Sequence, residues 1–351
     1  MSIGTALNDL DTPSLYLDKD IFVQNCEIFY KEFSKYNLVL RPDVSFYRSS
    51  EMARLHLDQF PNTKSVHTGT LSEASILTNM GLDDILVGSI FPLDRRLNIL
   101  ANISAKAIVS VPIASKSSVD SLREFAAEKK FNPKVTLPLT TDISTLGIFD
   151  YKKAQDLTVY LQGKDGIQFD GFIITIPPLC EEHLLDRKLE EIRELFSDLH
   201  TRGIDPVKIS VITGDLTTMQ KLNFPFRTEI IDSSTIFQKG DAQESPVGVV
   251  TSVMSHPQSD MAYLDCGQKS ISIDQGMPEP IGLGSSSVVQ MSAEHGYLRI
   301  NESSWSPKLG DRVKLRGSDL SDTFNLYDYI NVISNGVLET IFEIDGRGLY
   351  V

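Results

Sequence analysis

The sequence predicts an α/β protein, a (β/α)8 TIM barrel followed by a mostly antiparallel β-domain. One observation is the texture from Thr12 to about Ser234, where short β-branched or apolar runs alternate with longer segments of helical period. Repeated strand-helix units imply parallel strands, because each return crossing needs a helix. A second observation is the change after Ser245, where helical periodicity fades and short strand-like runs follow one another. A third is that no Gly-rich nucleotide fingerprint follows the first strand, which favours a closed barrel over an open sheet.

In order, the first part reads as strands at Leu15–Leu17, Leu38–Leu40, Ser65–His67, Ile85–Val87, Ala107–Val111, Val135–Leu139, Gly171–Ile176, Ile209–Ile212 and Thr228–Ile231. Between them, Phe22, Cys26, Phe29, Phe33 and Tyr36 recur at helical spacing, as do Leu185, Leu189, Ile192, Phe196 and Leu199. Each set forms one stripe to bury. Asp18 is placed to cap the first long helix, Thr70 with Glu73 has capping-box spacing, and Gly81 and Gly203 follow helix ends. The second part reads as strands at Val247–Ser255, Met261–Leu264, Val288–Met291, Tyr297–Ile300, Arg312–Leu315, Tyr329–Ser334 and Val337–Ile344, with Asn335-Gly336 as a hairpin turn. The domain boundaries expected are 12–240 for the barrel and 245–351 for the β-domain, the latter joined by the N-terminal strand 12–18.

Composition excludes several functions. The formal charge is −14 and the basic residues are scattered, so the chain offers no footprint for nucleic acid or an anionic membrane. Three cysteines, Cys26, Cys180 and Cys266, lie far apart and read as half-buried thiols in a reducing compartment. Residues 1–11 lack the pattern of a signal or transit peptide, and no stretch approaches the ~18 apolar residues of a membrane span. A cytosolic protein is expected.

The local strings carry more. Thr12-Pro13-Ser14-Leu15-Tyr16-Leu17-Asp18, Leu40-Arg41-Pro42, Ser49 to Arg54, Leu71-Ser72-Glu73-Ala74 and Asp83 to Val87 come first; Leu264 to Lys269, Glu294-His295-Gly296, Leu309 to Val313, Thr323 to Asp328 and Gly346-Arg347-Gly348 follow. In this order they resemble the D-serine dehydratase and D-threonine aldolase family across nearly the whole chain. The resemblance implies an alanine-racemase-type barrel, pyridoxal phosphate (PLP) bound as an imine to a lysine near an early strand, a metal in the β-domain, a homodimer, and lyase chemistry on D-amino acids.

Position by position, the residues depart from what that resemblance implies. The family continues Arg-Pro with His-Ala-Lys-Thr-His-Lys, whose first lysine forms the imine; here the stretch reads Asp43-Val44-Ser45-Phe46-Tyr47-Arg48. Ser45 stands at the lysine position, and a hydroxyl cannot condense with an aldehyde to an imine. Lys64, Lys106, Lys134 and Lys208 lie at strand starts, opposite the face that carries chemistry in a barrel, and Lys269 lies in the β-domain. Arg48 stays protonated.

The His-x-Cys zinc pair of the family is matched by Asp319-Leu320-Ser321, a poor donor set for zinc, and Ser318 to Asp322 reads as a polar turn. The family's phosphate cup corresponds to Thr213-Gly214-Asp215-Leu216-Thr217-Thr218. Thr213, Gly214 and Thr217 suit an anion, but Asp215 opposes one and equally reads as a helix cap. Asp232-Ser233-Ser234-Thr235 and Ile176-Pro177-Pro178-Leu179-Cys180 likewise lack the aromatic hydroxyl and the Gly-His pair of active relatives.

Among the histidines, His56, His183 and His200 read as helix-surface or boundary residues, and His67 as a packing residue near the mouth. His295 reads as a structural bridge between domains or dimer mates, and Gly282 to Ser287 as a β-domain loop. Asp43 and Tyr47 flank position 45 as pocket candidates. The expectation is a diverged family member without PLP or zinc chemistry that binds a small molecule in the barrel mouth; the alternative is an enzyme on D-amino acids with PLP held non-covalently or with altered chemistry.

Overall fold

Apolar runs too short to span more than one barrel layer, separated by amphipathic helices, fold as strand-helix repeats. The computed structural model describes residues 2–36, 38–60, 63–91, 95–143, 145–177, 181–213, 216–232, 234–237, 245–301 and 305–349. In chain order these form β1 (Ser14–Asp18), α1 (Lys19–Phe33), β2 (Val39–Pro42), α2 (Ser50–Asp58), β3 (Ser65–Thr68), α3 (Leu71–Asn79), β4 (Asp84–Val87) and α4 (Arg96–Ser104). Then follow β5 (Ile108–Pro112), α5 (Lys116–Lys129), β6 (Lys134–Thr140), α6 (Tyr151–Gln162), β7 (Gln168–Thr175), α7 (Glu182–Thr201), β8 (Lys208–Ile212), α8 (Leu216–Met219) and β9 (Thr228–Asp232). Two units emerge, one of Tyr30–Ser45, Leu55–Thr235 and Leu349–Val351, the other of Met1–Phe29, Phe46–Arg54 and Ile236–Gly348.

The first unit is the barrel. Its sheet runs β2-β9-β8-β7-β6-β5-β4-β3, with every neighbouring pair parallel. The ends of that path meet in a single parallel bridge, Asp43 to His67, which closes the ring. The fold class is therefore the one the alternation predicts. The helices bury the stripes that periodicity marks: Leu185, Leu189, Ile192, Phe196 and Leu199 of α7 are all buried. Start signals also hold, since Thr70 and Glu73 form a reciprocal capping box on α3 and Asp18 Oδ1 accepts from Ile21 N–H at the start of α1.

The barrel interior has an apolar middle layer of Leu86, Ile173, Ile231 and Ile212. Below it, towards the strand starts, is a charged floor. Arg41, fully buried, donates to Glu229 at 2.8 Å and to Asp84 at 3.1 Å, and reaches across to the Val66 carbonyl at 2.9 Å. Lys208 pairs with Asp170 at 2.9 Å, and Ser110 donates to the same carboxylate at 2.6 Å. Burial works against the charge on Arg41, but Glu229 and Asp84 more than restore it, so its pKa is raised. Burial likewise favours neutral Glu229 and Asp170, yet Arg41 and Lys208 hold both carboxyls below their usual range.

The second unit is built on β1 and continues with β10 (Val247–Gln258), β11 (Met261–Leu264), β12 (Glu279–Ile281), β13 (Ser287–Met291), β14 (Gly296–Arg299), β15 (Arg312–Arg316), α9 (Leu320–Phe324), β16 (Tyr329–Ser334) and β17 (Val337–Glu343). Its sheet runs β13-β14-β11-β10-β1-β16-β17, with β15 on β10 and β12 on β15. Only the β1–β16 pair is parallel. Leu7, Leu10, Tyr16, Val250, Ile333 and Leu338 form one of its cores. Gly267 belongs to a shared string for a steric reason: a Cβ there would stand 2.5 Å from the backbone of Glu294 and His295. His295 itself is exposed in that turn.

Several expectations are corrected. The run Leu15–Leu17, read among the strands of the first part, lies between β10 and β16, in the β-domain sheet that strand 12–18 is expected to join. Tyr36 falls beyond the end of α1. Ser318 to Asp322 is not a plain turn, since Asp319 caps the short helix α9. Cys26 and Cys266 are fully buried, not half-buried, and Cys180 lies outside the described residues. His56 is 1% exposed against Phe60, not on the helix surface. No helix among the described residues is long and apolar enough to cross a membrane.

Two predictions follow from the barrel interior. Arg41→Met removes the buried cation that Glu229 and Asp84 share, leaving Glu229 only Arg227 and Asp84 only the more distant Lys208, and urea unfolding should show a loss of about 3–5 kcal/mol; a loss below about 1 kcal/mol would contradict the assigned role of the network. Burial pushes the His56 imidazole down to about 3, against a small opposing pull from Asp43. The unfolded chain therefore binds a proton that the folded one refuses, and stability falls as pH drops from about 6.5 towards 3, by up to about 1.4 kcal/mol per unit. His56→Gln should flatten that slope between about pH 6.5 and 5, above the range where the depressed carboxylates contribute.

Candidate functional site

The C-terminal ends of the parallel strands form the barrel mouth, where loops replace the ladder and side chains are free for chemistry. At its seam, β2 ends in Arg41-Pro42, Asp43 N–H donates to the Asp232 carbonyl at 3.1 Å, and the chain then coils into a single 3-10 turn over Val44–Phe46. Asp43 Oδ1 accepts the Ser45 N–H at 3.0 Å, which is the Asx geometry that starts such a turn. The same oxygen takes the Ser45 hydroxyl at 2.6 Å and His67 Nδ1 at 2.8 Å. Burial works to raise the Asp43 carboxyl, but His67 and the two Ser45 donors hold it below the usual range. An ionised carboxylate only accepts, so Nδ1 of His67 carries the proton in this contact.

That arrangement has consequences for both residues. The Ser45 hydroxyl donates to Asp43 and not to an imidazole, so this serine, carboxylate and histidine are not wired as a nucleophile and its base. His67 is 5% exposed and its Nε2 has no hydrogen-bond partner. The ring lies along the next strand, where a Cβ on Gly88 would come 2.2 Å from Nε2. Beside it, Glu73 Oε2 gathers Thr68 Oγ1 at 2.7 Å, Gly69 N–H at 2.9 Å and Thr70 N–H at 3.0 Å, which ties down the loop after β3.

The mouth is negative. Within two positions of the strand ends, the acidic side chains are Asp43, Asp142 and Asp232, and no described residue there is Lys or Arg. Lys134 and Lys208 begin their strands, Lys64 and Lys106 precede theirs, and Lys269 pairs with Glu294 at 2.6 Å in the other unit. Within two positions of the strand ends no described side chain is an amine, and the Ser45 hydroxyl cannot form an imine. Position 45 itself thus offers no nitrogen to covalent PLP. Of the expected phosphate turn, Thr213 is buried at the end of β8, while Gly214, Asp215 and the side chain of Thr217 lie outside the described residues. Pro178, Leu179 and Ser233 lie outside them too. The described carboxylates are poor company for a phosphate dianion.

Zinc fares no better in the other unit. Asp319 spends its carboxylate on the Asp322 N–H at 2.9 Å. Ser321 receives Arg48 on its carbonyl at 2.9 Å and on its hydroxyl at 3.3 Å, so its described partner is a guanidinium. Among the described residues no cluster of three or more His, Cys, Asp or Glu is arranged to hold a metal. Tyr47 is buried in an aromatic cluster with Phe237 and Phe324, ring centroids 5.9 and 6.5 Å away, so it packs as core.

Sequence reasoning marked Asp43 and Ser45 but read His67 as packing, and did not join the three. The signal was available in principle: barrel closure brings the end of one strand beside the end of the next, and a histidine one residue from a strand end reaches that seam. A groove of about 600 Å³ lies elsewhere on this unit, lined by Ser115, Lys116, Ile148, Phe149, Asp150 and Leu157. It borders the segments after β5 and β6 and includes none of the Asp43–His67 set.

Comparison with known proteins agrees with this architecture. Residues 247–333 match a family model described as a putative serine dehydratase domain. The chain is 24% identical to a D-threonine aldolase of Arthrobacter sp over 361 aligned positions, covering 98% of this chain and 95% of that one. The crystal structure of D-threonine aldolase from Filomicrobium marinum superposes with a TM-score of 0.90 at 21% identity, covering 100% of this chain and 99% of the other. An alanine racemase of Clostridium difficile shares the fold at a TM-score of 0.73 and 10% identity, with 95% and 99% covered. With the strand order and the closing bridge, these matches show an alanine racemase-like fold and a chain similar over nearly its whole length to D-threonine aldolase, with the putative serine dehydratase domain matched at residues 247–333.

Proposed function

We propose that this chain is a diverged family member that binds a small polar molecule in the barrel mouth without PLP imine chemistry, acting as a cytosolic, homodimeric binding or regulatory protein. The observation that carries this reading is the state of position 45. Where the resemblance implies an amine, a serine hydroxyl is committed to Asp43 Oδ1 at 2.6 Å. An imine needs a nitrogen lone pair on a primary amine, and Ser45 has none. Support comes from the negative mouth and from Arg48 on Ser321, which oppose a phosphate and a metal cation respectively. The relatives are named for aldolase activity on D-threonine and 3-hydroxy-D-aspartate, so small D-amino acids are the ligand class to try first.

A second reading is favoured by one feature, the buried Asp43–His67 pair. An imidazole oriented by a carboxylate is equipped for acid-base work, so altered chemistry on a D-amino acid or a related small molecule is the alternative, with or without PLP held non-covalently.

Soaking the protein in PLP, reducing with borohydride and mapping the adducts should give no pyridoxyl-lysine in the barrel unit. D-threonine, D-serine and D-threo-3-hydroxyaspartate should turn over no faster than with free PLP, with or without divalent metal. A mapped barrel adduct with turnover overturns the first reading; turnover without an adduct, lost in His67→Gln, favours the second.

A further inference from the structure

The groove at the starts of α5 and α6 has a wall that the chain builds from its own hydrogen bonds. After β6 the backbone turns back on itself: Ile148 N–H donates to the Pro138 carbonyl at 2.7 Å, and Leu139 and Ile148 form a parallel bridge. Gly147 permits that close approach, since a Cβ there would stand 3.2 Å from Thr140 Cβ. Inside the turn, Thr140 Oγ1 donates to the Asp142 carbonyl at 2.8 Å and Thr145 Oγ1 to the same carbonyl at 2.9 Å. Backbone and hydroxyl bonds, not burial, therefore hold the segment that carries Ile143.

Ile143 is 80% exposed, while Ile148 and Leu157 on the same groove are 9% and 4% exposed. An aliphatic side chain laid between them would take its own surface and that of Ile143 out of water. The volume, about 600 Å³, is that of a small-molecule site. Charge on the lining then narrows the ligand. Asp150 is spent, because Oδ1 caps α6 by accepting the Lys152 and Lys153 N–H groups at 3.1 and 3.4 Å and Oδ2 lies 3.9 Å from Lys153 Nζ. Lys116 has a ring for a partner and not a carboxylate, its Nζ 5.2 Å from the Tyr160 centroid. Asp120, one turn along α5, accepts the Tyr160 hydroxyl at 2.7 Å and pairs with Lys164 at 3.6 Å. Asp156 is exposed and has no ion-pair partner among the described residues. Tyr160 follows Asp156 by four residues, so the Lys116 ammonium stands over the helix face that carries the Asp156 carboxylate, about one turn away.

We propose that this groove binds an α-amino acid with an apolar side chain, its carboxylate on Lys116, its ammonium on Asp156 and its side chain against Ile143, Ile148 and Leu157. Lys116 and Asp156 are opposite in sign and one turn apart, which matches a zwitterion; a lone amine or a lone carboxylate leaves one of the two charges unanswered. A polar side chain would lie on Ile148 and Leu157 without a hydrogen-bond partner, at a cost in desolvation. The groove shares no residue with the Asp43, Ser45 and His67 set, so this site stands whether or not the barrel mouth binds a ligand.

NMR of the isoleucine methyl groups tests this on the wild-type protein. Adding D- or L-leucine should move the Ile143 and Ile148 resonances saturably. Isocaproate lacks the ammonium, isoamylamine lacks the carboxylate and serine lacks the apolar side chain; each should bind about fivefold or more weaker than leucine, the worth of a good exposed ion pair or of a few buried methyl groups. Lys116→Gln and Asp156→Asn alter exposed side chains, so both proteins should fold, and each should weaken leucine binding by about fivefold. No saturable shift of Ile143 and Ile148 with either form of leucine, binding of isocaproate or isoamylamine as tight as that of leucine, or unchanged affinity in both charge variants overturns the proposal. The borohydride assay and the turnover measurements report on the barrel mouth alone, so their outcome leaves this test independent.

Discussion

Barrel closure at the β2–β3 seam is the constraint on which the parallel unit depends. A closed sheet has no edge, but here the last join is one backbone bridge, Asp43 to His67, not a ladder. Side chains supply what the backbone does not. Arg41 reaches from β2 to the Val66 carbonyl on β3 and to Asp84 on β4, and Asp43 holds His67 at 2.8 Å. The floor and the mouth of the barrel are thereby tied at this seam by side-chain contacts from residues 41 and 43 of the same short strand and its extension. Arg41 is tolerated in the interior because two carboxylates and a carbonyl together offset its loss of water.

The same seam determines what position 45 can do. Asp43 starts a turn by accepting the Ser45 N–H and then takes the Ser45 hydroxyl on the same oxygen. Serine is short enough to curl back onto Asp43, whereas a lysine would extend away from it. The substitution at 45 and the aspartate at 43 are thus locally consistent: one donates what the other needs to stay ionised in a buried place. His67 completes the set and is left with one nitrogen directed inward over Gly88.

Much of this is legible in the sequence. Strand-helix alternation, the α7 stripe from Leu185 to Leu199 and the Thr70–Glu73 box are local patterns, set by residues a few positions apart. The chemical deficit at Ser45 is likewise a property of the side chain. His56 was not legible, because a histidine in a helix looks the same whether its neighbour is water or Phe60. The helix α9 was hidden by its five-residue length, too short to show a period, although Asp319 before it is an ordinary cap. β12, of three residues, was missed for the same reason.

Residue chemistry and spacing by themselves determined the class of fold, the starts and faces of the longer helices, and the lack of an amine at position 45. Tertiary structure decided which sheet the N-terminal strand enters, which histidine is buried, and that Asp43, Ser45 and His67 converge on one carboxylate oxygen. The reason is distance along the chain: a pattern within one element is fixed by its own period, but a contact between residues 43 and 67 exists only once the eight strands have curved round to bring the ends of the sheet together.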